Sequence, residues 1–155
     1  MKYIVFSDSH GRCEAMEEIL GKEKFDGIIH LGDGFEDAGR IETEYPYKAF
    51  IRVLGNCDGF FAGLVGETER IADIEGVRVM MCHGHRYGVK SGTDGLLYAA
   101  KEKGAKAVLF GHTHRSICET KKGILLLNPG SVGERGEYAV AEFTGGRVSA
   151  ELRRL

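Results

Sequence analysis

The sequence predicts an α/β fold in which two β-sheets pack face to face with helices on their outer sides. In the first half of the chain, short apolar runs alternate with amphipathic stretches, as strands alternate with helices in a parallel sheet. In the second half, apolar runs come in pairs joined by short glycine-containing turns, a pattern typical of β-hairpins. The length of 155 residues suits one domain of ordinary size, which we expect to span residues 1–155.

The first half of the chain predicts three strands and two helices in alternation. Apolar runs with β-branched or aromatic residues indicate the strands, and Met16, Ile19 and Leu20 form the apolar stripe of the first helix. In order, the predicted elements are strand Lys2–Ser7, helix Arg12–Lys22, strand Gly27–Leu31, helix Phe35–Glu44 and strand Ala49–Leu54.

The second half predicts three hairpins, one helix and one further buried strand. Each hairpin has a turn that contains glycine, such as Glu75-Gly76 in the first and Gly145-Gly146 in the last. In order, the predicted elements are strands Thr68–Ile74 and Val77–Cys82, helix Thr93–Lys103, strand Lys106–Phe110, strands Ser116–Thr120 and Ile124–Leu127, and strands Tyr138–Phe143 and Arg147–Leu152.

Composition excludes several classes of protein. A net charge of −2 argues against an extended nucleic-acid surface. The apolar runs fall far short of the ~20 residues that a membrane helix needs, and the N-terminus lacks the apolar segment of a signal peptide. The four cysteines are widely spread, which is typical of reduced thiols and argues against a structural zinc site. We therefore expect a cytoplasmic protein with no membrane partner.

Five polar clusters each follow a predicted strand directly, and five of the six histidines lie in them. Sites in α/β folds form where the carboxyl ends of strands meet, so we expect the clusters to converge on one edge. Carboxylates, a carboxamide and imidazoles together suit divalent first-row metal ions, and the sequence therefore predicts a metal site. The clusters are Asp8-Ser9-His10, Gly32-Asp33, Gly55-Asn56-Cys57-Asp58, His83-Gly84-His85 and Gly111-His112-Thr113-His114.

These five motifs, in this order, resemble those of the calcineurin-like metallophosphoesterases. The resemblance is closest to the small single-domain phosphodiesterases of bacteria and archaea, and the segment Asn128-Pro129-Gly130-Ser131 also looks like that branch. It implies a four-layer αββα fold and a centre of two metal ions. The implied ligands are Asp8, His10 and His114 for the first ion, Asn56, His83 and His112 for the second, and Asp33 as a bridge between them.

The resemblance also implies a reaction, namely hydrolysis of a phosphodiester by attack of a metal-bridging hydroxide. Mn²⁺ is the expected ion, while Ni²⁺, Fe²⁺, Co²⁺ and Zn²⁺ remain open. The expected substrate is a small phosphodiester or nucleotide-like molecule, contacted by Asn56 and His85. Two alternatives remain: a phosphomonoesterase, and a non-catalytic scaffold similar to the retromer subunit that shares this fold.

One position departs from the pattern of the family. In many members a histidine follows the motif asparagine and protonates the leaving group, whereas this chain has Cys57. A free thiol has a pKa of about 8.5, against about 6.5 for imidazole, so it replaces the imidazolium poorly. Cys57, Asp58 and His85 are therefore the candidate catalytic residues, with His85 the alternative proton donor. The simpler interpretation of Asp58 is that it orients a neighbour by hydrogen bonding.

Four further residues invite a functional interpretation. We expect His30, inside a strand, to be structural. Asp37 is either a group that supports the site or an acid on a helix surface, and we expect the second. Phe60 and Phe61 either stack on a nucleobase or are buried in a subunit contact, which leaves a homo-oligomer open.

Overall fold

A computed structural model describes residues 1–59 and 66–155 of the chain. Single turns of 3₁₀ helix lie at Asn56–Asp58 and His85–Tyr87. The strands and α-helices are β1 (Lys2–Phe6), α1 (Cys13–Lys22), β2 (Gly27–His30), α2 (Phe35–Glu44), β3 (Ala49–Arg52), β4 (Glu69–Ile74), β5 (Val77–Cys82), α3 (Asp94–Glu102), β6 (Ala107–Leu109), β7 (Ile117–Lys121), β8 (Ile124–Asn128), α4 (Val132–Arg135), β9 (Glu137–Thr144) and β10 (Arg147–Arg154).

The first sheet combines the α/β half of the chain with its last hairpin. Its strand order is β10-β9-β1-β2-β3, with β1, β2 and β3 parallel and β9 antiparallel to β1. Phe6 pairs with His30 at the last register position of β1 and β2. Because these two strands end level with each other, the loops that follow them start at the same edge of the sheet.

The second sheet has the order β4-β5-β6-β8-β7, and its three central strands are parallel. Each edge strand, β4 or β7, pairs antiparallel with its hairpin partner. Leu109, the last residue of β6, pairs with Met81 on one side and Leu127 on the other. The carboxyl ends of β5, β6 and β8 therefore also share one edge.

Apolar side chains fill three layers, one between the sheets and one beneath the helices on each outer side. Alternating residues of a strand face opposite layers, as in β1, where Val5 packs between the sheets and Ile4 packs against α1. On the other side, Met80 and Val108 pack beneath α3. The resulting order is helix, sheet, sheet, helix, which confirms the predicted fold class.

All the predicted strands and helices are present, and their bounds differ from the predicted ones by at most two residues. Helix α4 was not predicted, because its four residues are too few to show helical periodicity. Its first turn is set by Ser131, whose Oγ accepts a hydrogen bond from the backbone N–H of Glu134 at 3.0 Å. Among the described residues, no helix has the length and apolar character that crossing a bilayer requires.

Candidate metal centre

The polar clusters of both sheets meet at the edge where the parallel strands end. Asp8 and Asp33 follow β1 and β2 of the first sheet, whereas His83 follows β5 of the second. The Nε2 atom of His83 lies 3.3 Å from Oδ2 of Asp33 and 3.8 Å from Oδ1 of Asp8. The predicted convergence of residues distant in the chain is therefore present in the structure.

One group of donor atoms, which we call the open half, comes from Asp8, His10 and His114. Their donor atoms all lie within 4.8 Å of one another, which is close enough to hold one ion. The Nε2 atoms of His114 and His10 lie 3.1 Å and 3.8 Å from Oδ1 of Asp8. The carboxylate is fully buried, but the His10 and His114 side chains are 40% and 34% exposed, so this half faces solvent.

The second group, the buried half, comes from Asp33, His83 and His112, whose donor atoms also lie within 4.8 Å of one another. His83 is 0% exposed and Asp33 is 4% exposed. Nδ1 of His83 lies 2.7 Å from the carbonyl oxygen of Leu31, which can only accept, so Nδ1 carries a proton and Nε2 faces Asp33. Burial alone would raise the pKa of Asp33, but the adjacent His83 ring and the backbone N–H of Cys57 hold that pKa well below its ordinary value.

Two buried polar atoms at the junction of the halves have no hydrogen-bond partner. They are Oδ1 of Asp8 and Nε2 of His83, which lie 3.8 Å apart. An unsatisfied buried polar atom costs about 1–3 kcal/mol, so such atoms in a native structure require a reason. A divalent cation in each half would satisfy the carboxylate oxygen on one side and the imidazole nitrogen on the other, and these donor types suit first-row ions. The residues present thus fit a metal centre.

The backbone at the candidate ligands has an uncommon conformation. Seven non-glycine residues in the described ranges have φ between +46° and +69°, and two of them, Glu75 and Lys122, lie in hairpin turns. Left-handed backbone is disfavoured for residues with a Cβ by roughly 1–2 kcal/mol, and such conformations cluster at functional sites. The other five are Asp8, His10, Asp33, His112 and His114.

Asp58 holds the Asp33 loop in place. Its two carboxylate oxygens accept four hydrogen bonds of 2.7–3.0 Å from backbone N–H groups. With both oxygens engaged and its side chain buried, Asp58 has the geometry of an orienting residue rather than of a group that touches substrate. The four donors are the N–H groups of Asp33, Gly34, Phe35 and Gly55.

Gly55 shows how closely this loop approaches Asp33. A Cβ atom at Gly55 would lie 2.0 Å from Oδ1 of Asp33. That oxygen also accepts the backbone N–H of Cys57 at 2.8 Å. Only glycine leaves room for the carboxylate here, so the sequence signal Gly-Asn-Cys-Asp has a steric cause.

The remaining predicted residues lie around these two halves. Asn56 and Cys57 are exposed on the 3₁₀ turn, and the Cys57 Sγ forms a third donor group with His10 and Asp33, again within 4.8 Å. Burial, and next the hydrogen bond to Asp33, raise the pKa of Cys57. The His85 ring lies 5.6 Å from that of His83, and burial followed by the charge of His83 lowers the pKa of His85. His85 is therefore next to the buried half and neutral at pH 7.

With this geometry in place, comparison with known proteins shows the family. The calcineurin-like phosphoesterase superfamily domain matches residues 1–146. The chain belongs to the calcineurin-like phosphoesterase superfamily. Members of this superfamily depend on metal ions, which agrees with the two groups of donor atoms.

Several named proteins are similar to this chain over most of its length. It is 34% identical over 135 residues to the probable metallophosphoesterase YsnB of Bacillus subtilis strain 168, covering 85% of this chain and 75% of the relative. It is 29% identical over 154 residues to the phosphodiesterase YfcE of Escherichia coli K12, covering 85% and 79%. Vps29 from Entamoeba histolytica, solved in complex with zinc, superimposes with a TM-score of 0.79 over 100% of this chain and 98% of Vps29, at 16% identity. This last likeness shows the calcineurin-like fold alone.

The structure adds Glu134 to the residues around the site, which the sequence analysis missed. Its carboxylate lies 2.8 Å from Nδ1 of His114, so the other ring nitrogen, Nε2, faces Asp8. The hydrogen bond with His114 lowers the pKa of Glu134. Ser131, which caps α4, also donates from Oγ to the Asp8 carbonyl at 2.8 Å. The Ser-x-x-Glu spacing at 131–134 was the available sequence signal, since it marks a helix start.

Beneath the open half lies a hydrogen-bonded chain that corrects one expectation. Asp37 is not a plain surface acid, because its Oδ2 accepts from Ser9 Oγ at 2.6 Å and from the Gly11 N–H at 2.8 Å. His30 is buried and contacts Ser9 Oγ through Nε2 at 3.2 Å, as expected of a structural histidine. Both residues therefore support the loop that carries His10. Phe60 and Phe61 lie outside the described residues.

Proposed function

We propose that this chain is a phosphodiesterase that works with two divalent metal ions. The observation that carries the proposal is the pair of donor groups joined by the unpartnered atoms of Asp8 and His83. Asp33 lies between the halves, because its Oδ2 is 3.3 Å from Nε2 of His83 and 3.8 Å from Nε2 of His10. The proposed ligands are Asp8, His10 and His114 for one ion, Asn56, His83 and His112 for the other, and Asp33 for both.

Ions held in this way would supply a water of lowered pKa and positive charge on both sides of an in-line displacement at phosphorus. Asp8 and Asp33 bring two negative charges, fewer than the positive charges of two divalent ions, so the loaded site would attract an anionic phosphodiester. Imidazole and carboxylate ligands accept Mn²⁺, the ion we propose, and also Fe²⁺, Co²⁺, Ni²⁺ and Zn²⁺.

Around these ligands, His85 and Asn56 are the residues we propose to contact the substrate. His85 has a buried Nδ1 without a hydrogen-bond partner and lies beside His83. Its lowered pKa leaves the ring neutral at pH 7, so His85 is a hydrogen-bond partner rather than the donor of an imidazolium proton. The thiol of Cys57 is a weak proton donor, because its pKa is raised. This favours substrates whose leaving groups depart without full protonation.

The proposed substrate is a small phosphodiester or nucleotide-like molecule. A cavity of about 200 Å³ opens beside the site and is lined by His10, Asp33 and Cys57 among others. Pockets for drug-sized ligands are roughly 300–1,000 Å³, so this one suits a group the size of a phosphate with part of its ester. The free thiols of the chain, two of them exposed, support the proposed cytoplasmic location.

The test is turnover of bis(p-nitrophenyl) phosphate by protein stripped with chelator and reloaded with Mn²⁺, Ni²⁺ or Zn²⁺. We expect metal-dependent release of nitrophenol that is lost in Asn56→Ala and retained in Asp73→Asn, an exposed acid far from the site. Faster turnover of p-nitrophenyl phosphate would instead establish a phosphomonoesterase. If neither ester is turned over with any of the ions, both esterase activities are overturned. That outcome favours the second candidate function, a scaffold, which the shared fold of Vps29 suggests.

A further inference from the structure

We infer that Cys57 is a metal ligand and that, together with His10 and Asp33, it forms an alternative position for a thiophilic cation such as Zn²⁺ or Cd²⁺. An ion at this position would compete with Mn²⁺ in the proposed centre for the ligands His10 and Asp33. The inference rests on the proposed function, because two of the three residues belong to the proposed centre.

The first support is the distance between the donor atoms. The Sγ of Cys57, a ring nitrogen of His10 and a carboxylate oxygen of Asp33 all lie within 4.8 Å of one another. Metal–sulfur and metal–nitrogen bonds of about 2.3 Å and about 2.1 Å span nearly this separation, so small side-chain rotations bring the three atoms onto one ion.

The second support is the position of the His10 ring. Its Nε2 lies 3.8 Å from Oδ1 of Asp8 and also 3.8 Å from Oδ2 of Asp33. Oδ1 of Asp8 is fully buried and has no hydrogen-bond partner, which indicates a cation on that side. On the other side, Asp33 and Cys57 complete a second set of donors. The same imidazole can therefore serve an ion in either position.

The third support is that the thiol is held in place rather than carried on a free loop. The backbone N–H of Cys57 donates to Oδ1 of Asp33 at 2.8 Å, and the next residue, Asp58, anchors the turn through its backbone hydrogen bonds. The Asn56 side-chain nitrogen lies 3.6 Å from Sγ. Because Cys57 is exposed, an ion reaches Sγ without any opening of the fold.

The chemistry of sulfur decides which ions would use this position. Thiolate is a soft ligand that favours Zn²⁺ and Cd²⁺, whereas Mn²⁺ prefers oxygen and nitrogen donors. Binding forms one metal–sulfur bond, breaks the S–H bond and releases its proton to solvent. Since His10 and Asp33 are then withdrawn from the centre, Zn²⁺ inhibits the Mn²⁺-loaded protein. Cys57 thus discriminates between metal ions, a role that a histidine at this position would not fill in the same way.

The experiment compares the wild type with Cys57→Ser and with Cys118→Ser, the matched control, because Cys118 is the other exposed free thiol among the described residues. Metal-free protein is titrated with Cd²⁺ and with Co²⁺, and thiolate-to-metal charge-transfer absorption is recorded in the ultraviolet. We expect the absorption in the wild type and in Cys118→Ser but not in Cys57→Ser. In the activity assay, Cys57→Ser should need about tenfold or more Zn²⁺ for the same fractional inhibition of its Mn²⁺ activity.

The failures of the two proposals are distinguishable by equilibrium dialysis of the same samples. The role of Cys57 is overturned if the wild type retains metal but shows no charge-transfer absorption, or if the absorption persists in Cys57→Ser. Either result leaves the proposed centre intact. Failure of the wild type to retain any of the ions overturns the proposed function as well. Cys57→Ala, with circular dichroism as a check on folding, gives the same comparison if the serine variant does not fold.

Discussion

The open and buried halves of the candidate centre are held in different ways. In the buried half, His83 has no exposed surface and its Nδ1 is bonded to the Leu31 carbonyl, so packing and a backbone contact in the interior orient it. In the open half, His114 is partly exposed and its ring is oriented by Glu134, whose carboxylate lies on the surface. One imidazole is therefore held within the interior, whereas the other is held at the surface by a polar contact.

Because of this difference, the residues of the site contribute differently to the stability of the fold and to the affinity for metal. A fully buried residue such as His83 contributes to both, because removing it leaves unpaired polar atoms in the interior. A partly exposed residue of the open half, His10 or His114, contributes mainly to metal binding, because water replaces its contacts. Substitutions in the two halves test this separation, and the largest effect is expected at Asp33, the residue proposed to serve both ions.

Replacement of Asp33 should have the largest effect on activity. In Asp33→Asn the shared carboxylate charge is lost and both halves are weakened, so kcat/KM for the diester should fall by more than the about 100-fold typical of residues that only support a ligand. Steady-state kinetics at saturating Mn²⁺ measure this loss. The exposed acid Asp73, replaced in the same way, should leave kcat/KM unchanged. A smaller loss in Asp33→Asn than in His10→Asn would contradict the shared position.

The two halves should differ in stability by about 3 kcal/mol. In metal-free protein, His83→Ala leaves the Asp33 carboxylate buried without its partner, and breaking a buried pair costs about 3–5 kcal/mol. His10→Ala removes a half-exposed ring and should change the free energy of unfolding by less than about 0.5 kcal/mol. Urea denaturation measures both. Equal losses in the two variants would show that the halves are not held differently.

Glu134 should affect metal affinity without affecting stability. Its hydrogen bond orients His114, and loss of such a supporting group typically costs about 10–100-fold in metal affinity. We therefore expect Glu134→Gln to bind Mn²⁺ about 10–100-fold more weakly in a calorimetric titration. Glu119→Gln, an exposed acid on β7 that pairs with Lys121, is the matched control and should bind like the wild type. Unchanged affinity in Glu134→Gln would mean that packing alone orients His114.

The smallest predicted effect concerns pH and the histidine beneath the open half. Burial lowers the pKa of His30 to about 4, against 6.5 in the unfolded chain. The unfolded state thus binds more protons than the native state as the pH falls from about 6.5 to about 4, and stability decreases across that window, by about 1 kcal/mol between about pH 7 and pH 5.5.

A comparison of metal-free wild type with His30→Gln isolates this contribution. The pKa of His83 is raised, which contributes in the opposite sense, but it does so in both proteins. Urea denaturation at the two pH values should show a smaller decrease of stability in His30→Gln. The same decrease in both proteins would show that His30 does not stay neutral in the native state.

The fold could be predicted from the sequence because its strands are short apolar runs bounded by polar clusters and turns. The candidate ligands could be predicted for the same reason, since carboxylates and imidazoles follow strands whose ends share an edge. Contacts between distant elements could not be predicted. Asp37 on α2 reaches Ser9 in the loop after β1, and Glu134 lies on a helix too short to show periodicity. The exposure of each half depends on packing between segments distant in the chain, which local sequence patterns do not predict.

The backbone of the site has a consequence for how such a centre is lost in evolution. His10 and His114, both partly exposed, are among the candidate ligands with left-handed φ, a region where glycine and asparagine fit with little strain. A descendant released from selection for metal binding would relieve up to roughly 1–2 kcal/mol of backbone strain at such a position by accepting glycine. Drift in that lineage should therefore run toward glycine and asparagine at these positions, and away from β-branched residues. The residue types at these positions in related chains therefore indicate whether selection for metal binding persists.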